Sequence, residues 1–284
     1  MHRVLSAALL TLLVSAPAPR ASAQLAASKD GPIVYGHHHL STTNVAAQKK
    51  FFVDTLGGTA ITIGTNQQEI VKFPNVLIFF RTAQPTGGTR GTTVNHIGFS
   101  VPDLRKVVDK IKTNGFQMIT RSEALPTDDV QDDVAIRGTT RLAFASGPDD
   151  VKVELVQVPA QTMPIMLHHV HFFHPQNTEM RDWYAKTFGA KPRETPNFAA
   201  ADLPGVALNF TKSPDPVVGT QGRALDHIGF EVKNLEAFTK KLEGMGIKLE
   251  RPYTKVPALN IAIAFIKDPW GTYIELTEGL DKVA

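Results

Sequence analysis

The sequence predicts an α+β fold built from four copies of one unit: a strand, a helix, then about three strands (βαβββ). Three observations predict it. A His-bearing strand, a polar turn, an amphipathic helix and a Gly recur in that order four times in 284 residues, and such self-similarity marks a repeat architecture. Segments such as "TAITIG", "NVLIFFR", "RLAFASG", "VKVELVQV", "GVALNFT", "IAIAFIK" and "TYIELTE" follow the helices; their β-branched and aromatic residues suit half-buried strands. Of the 10 histidines, all but His2 lie in the first strand of a copy or within two residues of it.

The copies begin "HHHLSTTNVAAQKKFFVDTLGG" at His37, "HIGFSVPDLRKVVDKIKTNG" at His96, "HVHFFHPQNTEMRDWYAKTFG" at His169 and "HIGFEVKNLEAFTKKLEGMG" at His227. Asn44, Asp103 and Asn234 each lie seven positions after that His. They suit the helix N-cap, because their side chains accept from the free amides of the first turn; Gln176 takes that place in the third copy. Leu104, Val107, Val108 and Ile111 recur at helical spacing before Gly115. Met180, Trp183, Tyr184 and Phe188 do so before Gly189, and Leu235, Phe238 and Leu242 before Gly244. Phe51, Phe52, Trp183 and Tyr184 read as core anchors. "PAQTMP", Pro159 to Pro164, reads as a linker between two domains of two copies each, 31–159 and 164–280. The acidic "PTDDVQDD" from Pro126 reads as a solvated loop.

The chain is 42% hydrophobic and 20% charged, with a net charge of +3. No dense Lys/Arg run is present, so a nucleic-acid partner is not expected. With 0 Cys, disulfides and thiolate ligands are excluded, and any metal must sit on His, Asp, Glu or water. The N-terminal "MHRVLSAALLTLLVSAPAPRASAQ" has His2 and Arg3, an apolar run from Val4 to Ala16, and "ASA" before Gln24. It reads as a signal peptide over 1–23. The run is shorter than the ~20 residues of a spanning helix. The expectation is an exported protein, periplasmic or secreted, with no membrane association once the signal is removed.

Strand parity sorts the histidines, because alternate side chains face opposite sides of a sheet. In "VNHIGFSV" and "DHIGFEV" the apolar face packs on helices, so His96 and His227 face the other side. Registering the first copy on Asn44 puts His37 at the same position. Registering the third on its helix places His169 there. His39 and His171 share that face; His38 points away and reads as structural. "FASGPDDVKVEL" and "FIKDPWGTYIEL" align without gaps and pair Glu154 with Glu275. A Glu amid Val, Leu and Ile is costly to bury unless paired or metal-bound. Each sequence half therefore offers two His and one Glu: His37, His96 and Glu154, then His169, His227 and Glu275. Two His and a carboxylate on one side of an ion leave positions open for a bidentate substrate. Iron(II) or manganese(II) suits that set best, and zinc(II) also fits. His39 or His171 could serve as a base beside a ligand. Tyr273 shares the Glu275 face as a substrate donor or a wall residue.

The pattern resembles the vicinal oxygen chelate superfamily of glyoxalase I, extradiol dioxygenases and bleomycin-resistance proteins. "DHIGFEVKNLEAFTKKL" and "AFIKDPWGTYIEL" carry the likeness most strongly. The resemblance implies cupped sheets around a metal and a small-molecule substrate, in a monomer or a homodimer. It also implies a metal-dependent enzyme on an oxygen-chelating substrate, dioxygenase-like or glyoxalase/lyase-like. The alternative is a noncatalytic exported binder of the bleomycin-resistance type. His169, His227 and Glu275 match the extradiol ligand positions, but Phe265 stands where those enzymes use Tyr. Glyoxalase I draws a fourth ligand from the last strand of a module; here that strand offers no acid, and Asn209 is a weak substitute.

Overall fold

The computed structural model describes Leu25 and residues 32–282; the export signal expected over 1–23 lies outside the described residues. Four units follow one another. The first is β1 (Ile33–Thr42), α1 (Val45–Lys49) running into a π-helical stretch Lys50–Thr55, β2 (Thr59–Ile63), β3 (Gln68–Phe73) and β4 (Val76–Thr82). The second is β5 (Val94–Val101), α2 (Leu104–Thr113), β6 (Gln117–Met118), α3 (Thr120–Glu123), β7 (Asp129–Gln131), β8 (Val134–Arg137), β9 (Thr140–Ser146) and β10 (Lys152–Gln157). The third is β11 (Met166–Phe173), α4 (Asn177–Phe188), β12 (Lys191–Glu194), β13 (Ala199–Leu203) and β14 (Val206–Thr211). The fourth is β15 (Leu225–Val232), α5 (Leu235–Gly244), β16 (Leu249–Val256), β17 (Ile261–Lys267) and β18 (Tyr273–Glu278).

The caps form as the sequence predicts. Asn44 Oδ1 accepts from the Ala47 amide at 2.9 Å, Asp103 Oδ1 from Lys106 at 3.2 Å and Asn234 Oδ1 from Ala237 at 3.1 Å. Gln176 makes no such bond, since its longer side chain overshoots the first turn; it accepts instead from the Trp270 indole at 3.1 Å. The acidic stretch is more ordered than a solvated loop: it enters the hairpin of β7 and β8, and Asp128 takes two bonds from Arg137.

The units pair in a nested way. One sheet runs β16-β17-β18-β15-β1-β4-β3-β2, joining the first unit to the fourth. The other runs β12-β13-β14-β11-β5-β10-β9-β8-β7, with β6 also on β9, joining the second unit to the third. Each sheet thus draws on both halves of the chain, and the cups are not built within 31–159 and within 164–280. The four first strands are alike in pattern, and each offers a free edge. Local sequence therefore does not say which edge meets which.

Helices and the convex faces of both sheets share one continuous core. Phe188 of α4 stacks on Phe230 of the first sheet, with centroids 4.4 Å apart, while Tyr184 packs on Phe172 and Phe210 of the second. Phe73 meets Phe99 across the two sheets at 4.8 Å. Burial of this many aromatic rings at roughly 25 cal/mol per Å² is the main force joining the sheets. The concave faces are left free, and both histidine clusters lie on them.

Candidate metal centres

Each cup is centred on an antiparallel pair of first strands. We call the cup of units one and four the outer cup and that of units two and three the inner cup. In the outer cup, His37 of β1 lies opposite Gly229 of β15, which in turn lies beside Glu275 of β18. In the inner cup, His169 of β11, Gly98 of β5 and Glu154 of β10 form the same row. The middle residue has no side chain, so the imidazole and the carboxylate on either side reach over it. A Cβ built on Gly229 would lie 2.0 Å from the His37 ring, and one on Gly98 would lie 2.1 Å from His169. One step along the strands, His39 lies opposite His227, and His171 opposite His96.

Three imidazoles and one carboxylate therefore converge in each cup. The sets are His37, His39, His227 and Glu275, and His96, His169, His171 and Glu154; one donor atom from each residue lies within 4.8 Å of all the others in its set. In the outer cup Glu275 Oε2 is 2.9 Å from His37 Nε2 and 3.0 Å from His227 Nε2. In the inner cup Glu154 Oε2 is 2.8 Å from His96 Nε2 and 3.2 Å from His169 Nε2, and His171 Nδ1 is 3.1 Å from His96 Nε2. Adjacent ligands around one ion with bonds of about 2.0–2.2 Å are spaced in this way. The donor sets fit a divalent metal.

The expected grouping by sequence halves is corrected here. His37 is gathered with His227 and Glu275, not with His96 and Glu154; His169 is gathered with His96 and Glu154, not with His227 and Glu275. The cause is the nested pairing, which puts β1 against β15 and β5 against β11. Each centre is complete within one chain and needs no second subunit. His39 and His171, read from sequence as neighbours of ligands, stand among the donor atoms themselves.

His38 faces the helices. A register shift between Tyr35 and His37 puts Tyr35 on the same side, and its hydroxyl lies 2.8 Å from His38 Nδ1. Burial pushes His38 down to about 3, so it stays neutral in the core. Tyr273 stacks on Phe265 at 5.0 Å and lies 5.6 Å from the His227 ring, which makes it a wall of the outer cup. Burial raises its phenol, so it keeps its proton.

The electrostatics suit ligands. Burial pushes His96 down to about 3 against the upward pull of Glu154, and takes His39 to about 3 with the help of the His227 charge. Burial alone would raise Glu154 and Glu275, but their histidine neighbours outweigh it and hold both carboxyls low. Neutral imidazole and ionised carboxylate are the forms that bind a metal. His227 is the exception: burial lowers it, yet Asp226 and Glu275 outweigh burial and hold it up.

Residues just outside the sets orient them. Asp226 Oδ1 lies 2.7 Å from His227 Nδ1, Asn95 Oδ1 lies 2.9 Å from His96 Nδ1, and Thr211 Oγ1 lies 2.8 Å from His171 Nε2. Such partners fix the ring and direct its other nitrogen inward. The sequence reading missed Asp226 and Asn95, although a visible signal existed: each immediately precedes a candidate ligand, in "DH" and "NH". The cups differ in room and lining. A cavity of about 470 Å³ opens over the inner set, with Lys152, Arg137, Asn197 and Asn209 set among Leu142, Phe144, Val156, Phe173 and Phe198. The outer cavity is about 200 Å³, lined by Phe79, Leu259, Ile261, Ile263 and Leu280 together with Gln68 and Arg251.

The fold is of the glyoxalase-like, vicinal oxygen chelate type. Residues 166–276 match the model of the Glyoxalase/Bleomycin resistance protein/Dioxygenase superfamily. That segment supplies the third and fourth units, and hence half of each cup. Glyoxalase I from Zea mays shares the fold with a TM-score of 0.66 at 17% identity, covering 88% of this chain and 94% of that one. A putative dioxygenase from Bacillus subtilis does so with a TM-score of 0.61 at 10% identity, covering 86% and 84%. In sequence, Glyoxylase I 4 of Arabidopsis thaliana is 29% identical over 119 residues, which are 39% of this chain and 68% of that protein.

Proposed function

We propose that the protein is a divalent-metal-dependent enzyme. Its substrate is a small molecule that chelates through two neighbouring oxygen atoms, and the inner cup is where it reacts. One observation carries this reading: three imidazole nitrogens and a carboxylate oxygen converge beneath a cavity of about 470 Å³, large enough for a small ligand by the usual range of about 300–1,000 Å³. His96, His169, His171 and Glu154 would hold the ion there, and His37, His39, His227 and Glu275 would hold a second in the outer cup. Iron(II) or manganese(II) suits the histidine–carboxylate set best, and zinc(II) also fits. Bound there, the ion supplies Lewis acidity toward the substrate oxygens.

The chain's own part is positioning. Asn95 and Thr211 hold two imidazoles in place, and the few polar groups on a mainly apolar wall orient the substrate. If all four donors bound a six-coordinate ion, room would remain for a bidentate substrate but not for dioxygen besides. The reading therefore favours a lyase- or isomerase-like reaction over ring cleavage, and Phe144, the inner-cup counterpart of Phe265, agrees with it by placing a phenyl ring beside His96.

A noncatalytic ligand-binding role is the second reading for the outer cup, because its cavity is small and mainly apolar. The export signal over 1–23 belongs to the same proposal, and mass analysis of the mature chain tests it through a new N-terminus at Gln24. Among the described residues, no helix is long and apolar enough to cross a membrane.

Metal analysis of protein prepared without an affinity column, loaded anaerobically, tests the central claim. About two ions per chain, as the two sets imply, support it, and no stoichiometric metal overturns it. Oxygen uptake with a catechol would overturn the lyase or isomerase preference and return the reading to a dioxygenase.

A further inference from the structure

The two cups differ at one residue beside equivalent ligands. The pairing of β11 with β5 passes from Leu167 to His169 and leaves out His168; the pairing of β1 with β15 passes from Tyr35 to His37 and leaves out Gly36. Each omitted residue stands directly before the His that reaches over the central glycine. A residue left out of a ladder escapes the strict alternation of the strand, and its side chain is re-aimed. In the inner cup that side chain is an imidazole, exposed at the cavity wall. In the outer cup there is none, and the space is taken by backbone: a Cβ at Gly36 would meet the Glu231 amide nitrogen at 3.3 Å and the Gly229 carbonyl oxygen at 3.4 Å.

His168 touches a candidate ligand. Its Nδ1 lies 2.8 Å from His169 Nδ1, with the two rings crossed at 84°. His169 turns its other nitrogen, Nε2, toward the donor set, 3.2 Å from Glu154 Oε2. A neutral imidazole carries one proton, and the nitrogen that faces an ion carries none. His169 Nδ1 therefore holds the proton and donates it to His168 Nδ1. All three inner imidazoles are then held from behind: His96 by Asn95, His171 by Thr211 and His169 by His168. The outer counterpart of His169 is His37. Its Nε2 lies 2.9 Å from Glu275 Oε2, but its Nδ1 is buried with no hydrogen-bond partner among the described residues. A ligand imidazole whose second nitrogen is engaged stays aimed at the ion and is the better base toward it.

We propose that His168 is a positioning residue of the inner metal centre. Its Nδ1 accepts from His169, fixes that ring with Nε2 inward, and tightens the hold of the inner cup on its ion. The outer cup lacks the device, since Gly36 offers His37 no acceptor. This assignment rests on the metal-dependent reading above and deepens it.

The test uses the full chain carrying Glu275→Ala, so that the inner set is the main metal site. Cobalt(II) is titrated against a competing chelator and followed by the visible absorption of the bound ion. His168→Phe keeps a ring and removes the acceptor. His168→Asn removes the ring and keeps an acceptor, because Oδ1 of Asn is bonded to Cγ as Nδ1 of His is. His168→Phe is expected to weaken cobalt binding about 10-fold or more, and His168→Asn to recover most of that loss. In the chain carrying Glu154→Ala, where the outer set is the main site, both substitutions should leave cobalt affinity unchanged. Should His168→Phe fold poorly, His168→Ala takes its place as the variant without an acceptor. Unchanged affinity without the acceptor, equal weakening by His168→Asn, or equal weakening of the outer site overturns the assignment while the metal centre stands. Failure of the parent to take cobalt overturns the metal reading and this assignment with it.

Discussion

His37 and Glu275 are 238 residues apart in the chain, yet His37 Nε2 lies 2.9 Å from Glu275 Oε2, above the bare backbone of Gly229. Their strands are separated by β15, a span of roughly 10 Å between backbones. Only a glycine between them lets the side chains close that span from both sides. His169, Gly98 and Glu154 repeat the arrangement in the other cup.

Metal stoichiometry should follow the nested pairing. Glu154→Ala and Glu275→Ala are each expected to lose one ion per chain, about half the total. His37→Ala combined with His227→Ala should lose no more than either alone, because both act on one centre. His37→Ala combined with His96→Ala should empty both. Elemental analysis reads the result, and the opposite additivity would refute the grouping.

Gly229→Ala and Gly98→Ala should each damage one centre. The new methyl would sit about 2 Å from an imidazole, so the ring must leave or the strands must part. We expect about 1–3 kcal/mol of destabilisation, the usual cost of overpacking, together with loss of the ion from that cup alone. Urea unfolding and metal analysis of the same preparations separate the two effects.

Stability should carry a pH signature from Glu231. Burial raises this carboxyl from 4.5 to about 6, although Thr277 and the Gly279 amide hydrogen-bond it. The folded state thus prefers the protonated form. The penalty is absent below the unfolded value of about 4.3, grows as pH rises through about 6, and levels off near 2 kcal/mol above it. Glu231→Gln is therefore expected to stabilise the protein by about 1–2 kcal/mol near pH 7.5 and by almost nothing near pH 4. Equal urea midpoint shifts at the two pH values would contradict this.

Tyr184→Phe should loosen the join between the sheets. The Tyr184 hydroxyl on α4 donates to Asp268 Oδ2 at 3.1 Å, in the turn between β17 and β18 of the other sheet. Burial has already raised Asp268 to about 6, and it keeps its bonds from the Trp270 and Thr272 amides. We expect a loss of about 1–2 kcal/mol, the cost of one buried hydrogen bond to a charged group, with metal content unchanged. Thermal unfolding with and without metal checks it.

The sequence by itself determined the units and the faces. Period-two alternation put His37, His39, His96, His169, His171 and His227 on one side of their strands, and the Asn and Asp caps set where the helices begin, because both signals act within a few residues. The gapless alignment of "VKVEL" with "TYIEL" likewise placed Glu154 and Glu275 in register. Which strands meet was decided only by the tertiary structure. β1, β5, β11 and β15 carry nearly the same pattern, so their edge preferences are degenerate locally, and the shared core under the helices selects β1 with β15 and β5 with β11. That choice moved His96 and Glu154 from the company of His37 to that of His169. It also brought His39 and His171 up to the donor atoms, and it set Lys152 and Asn209 around one cup and Tyr273 and Phe79 around the other.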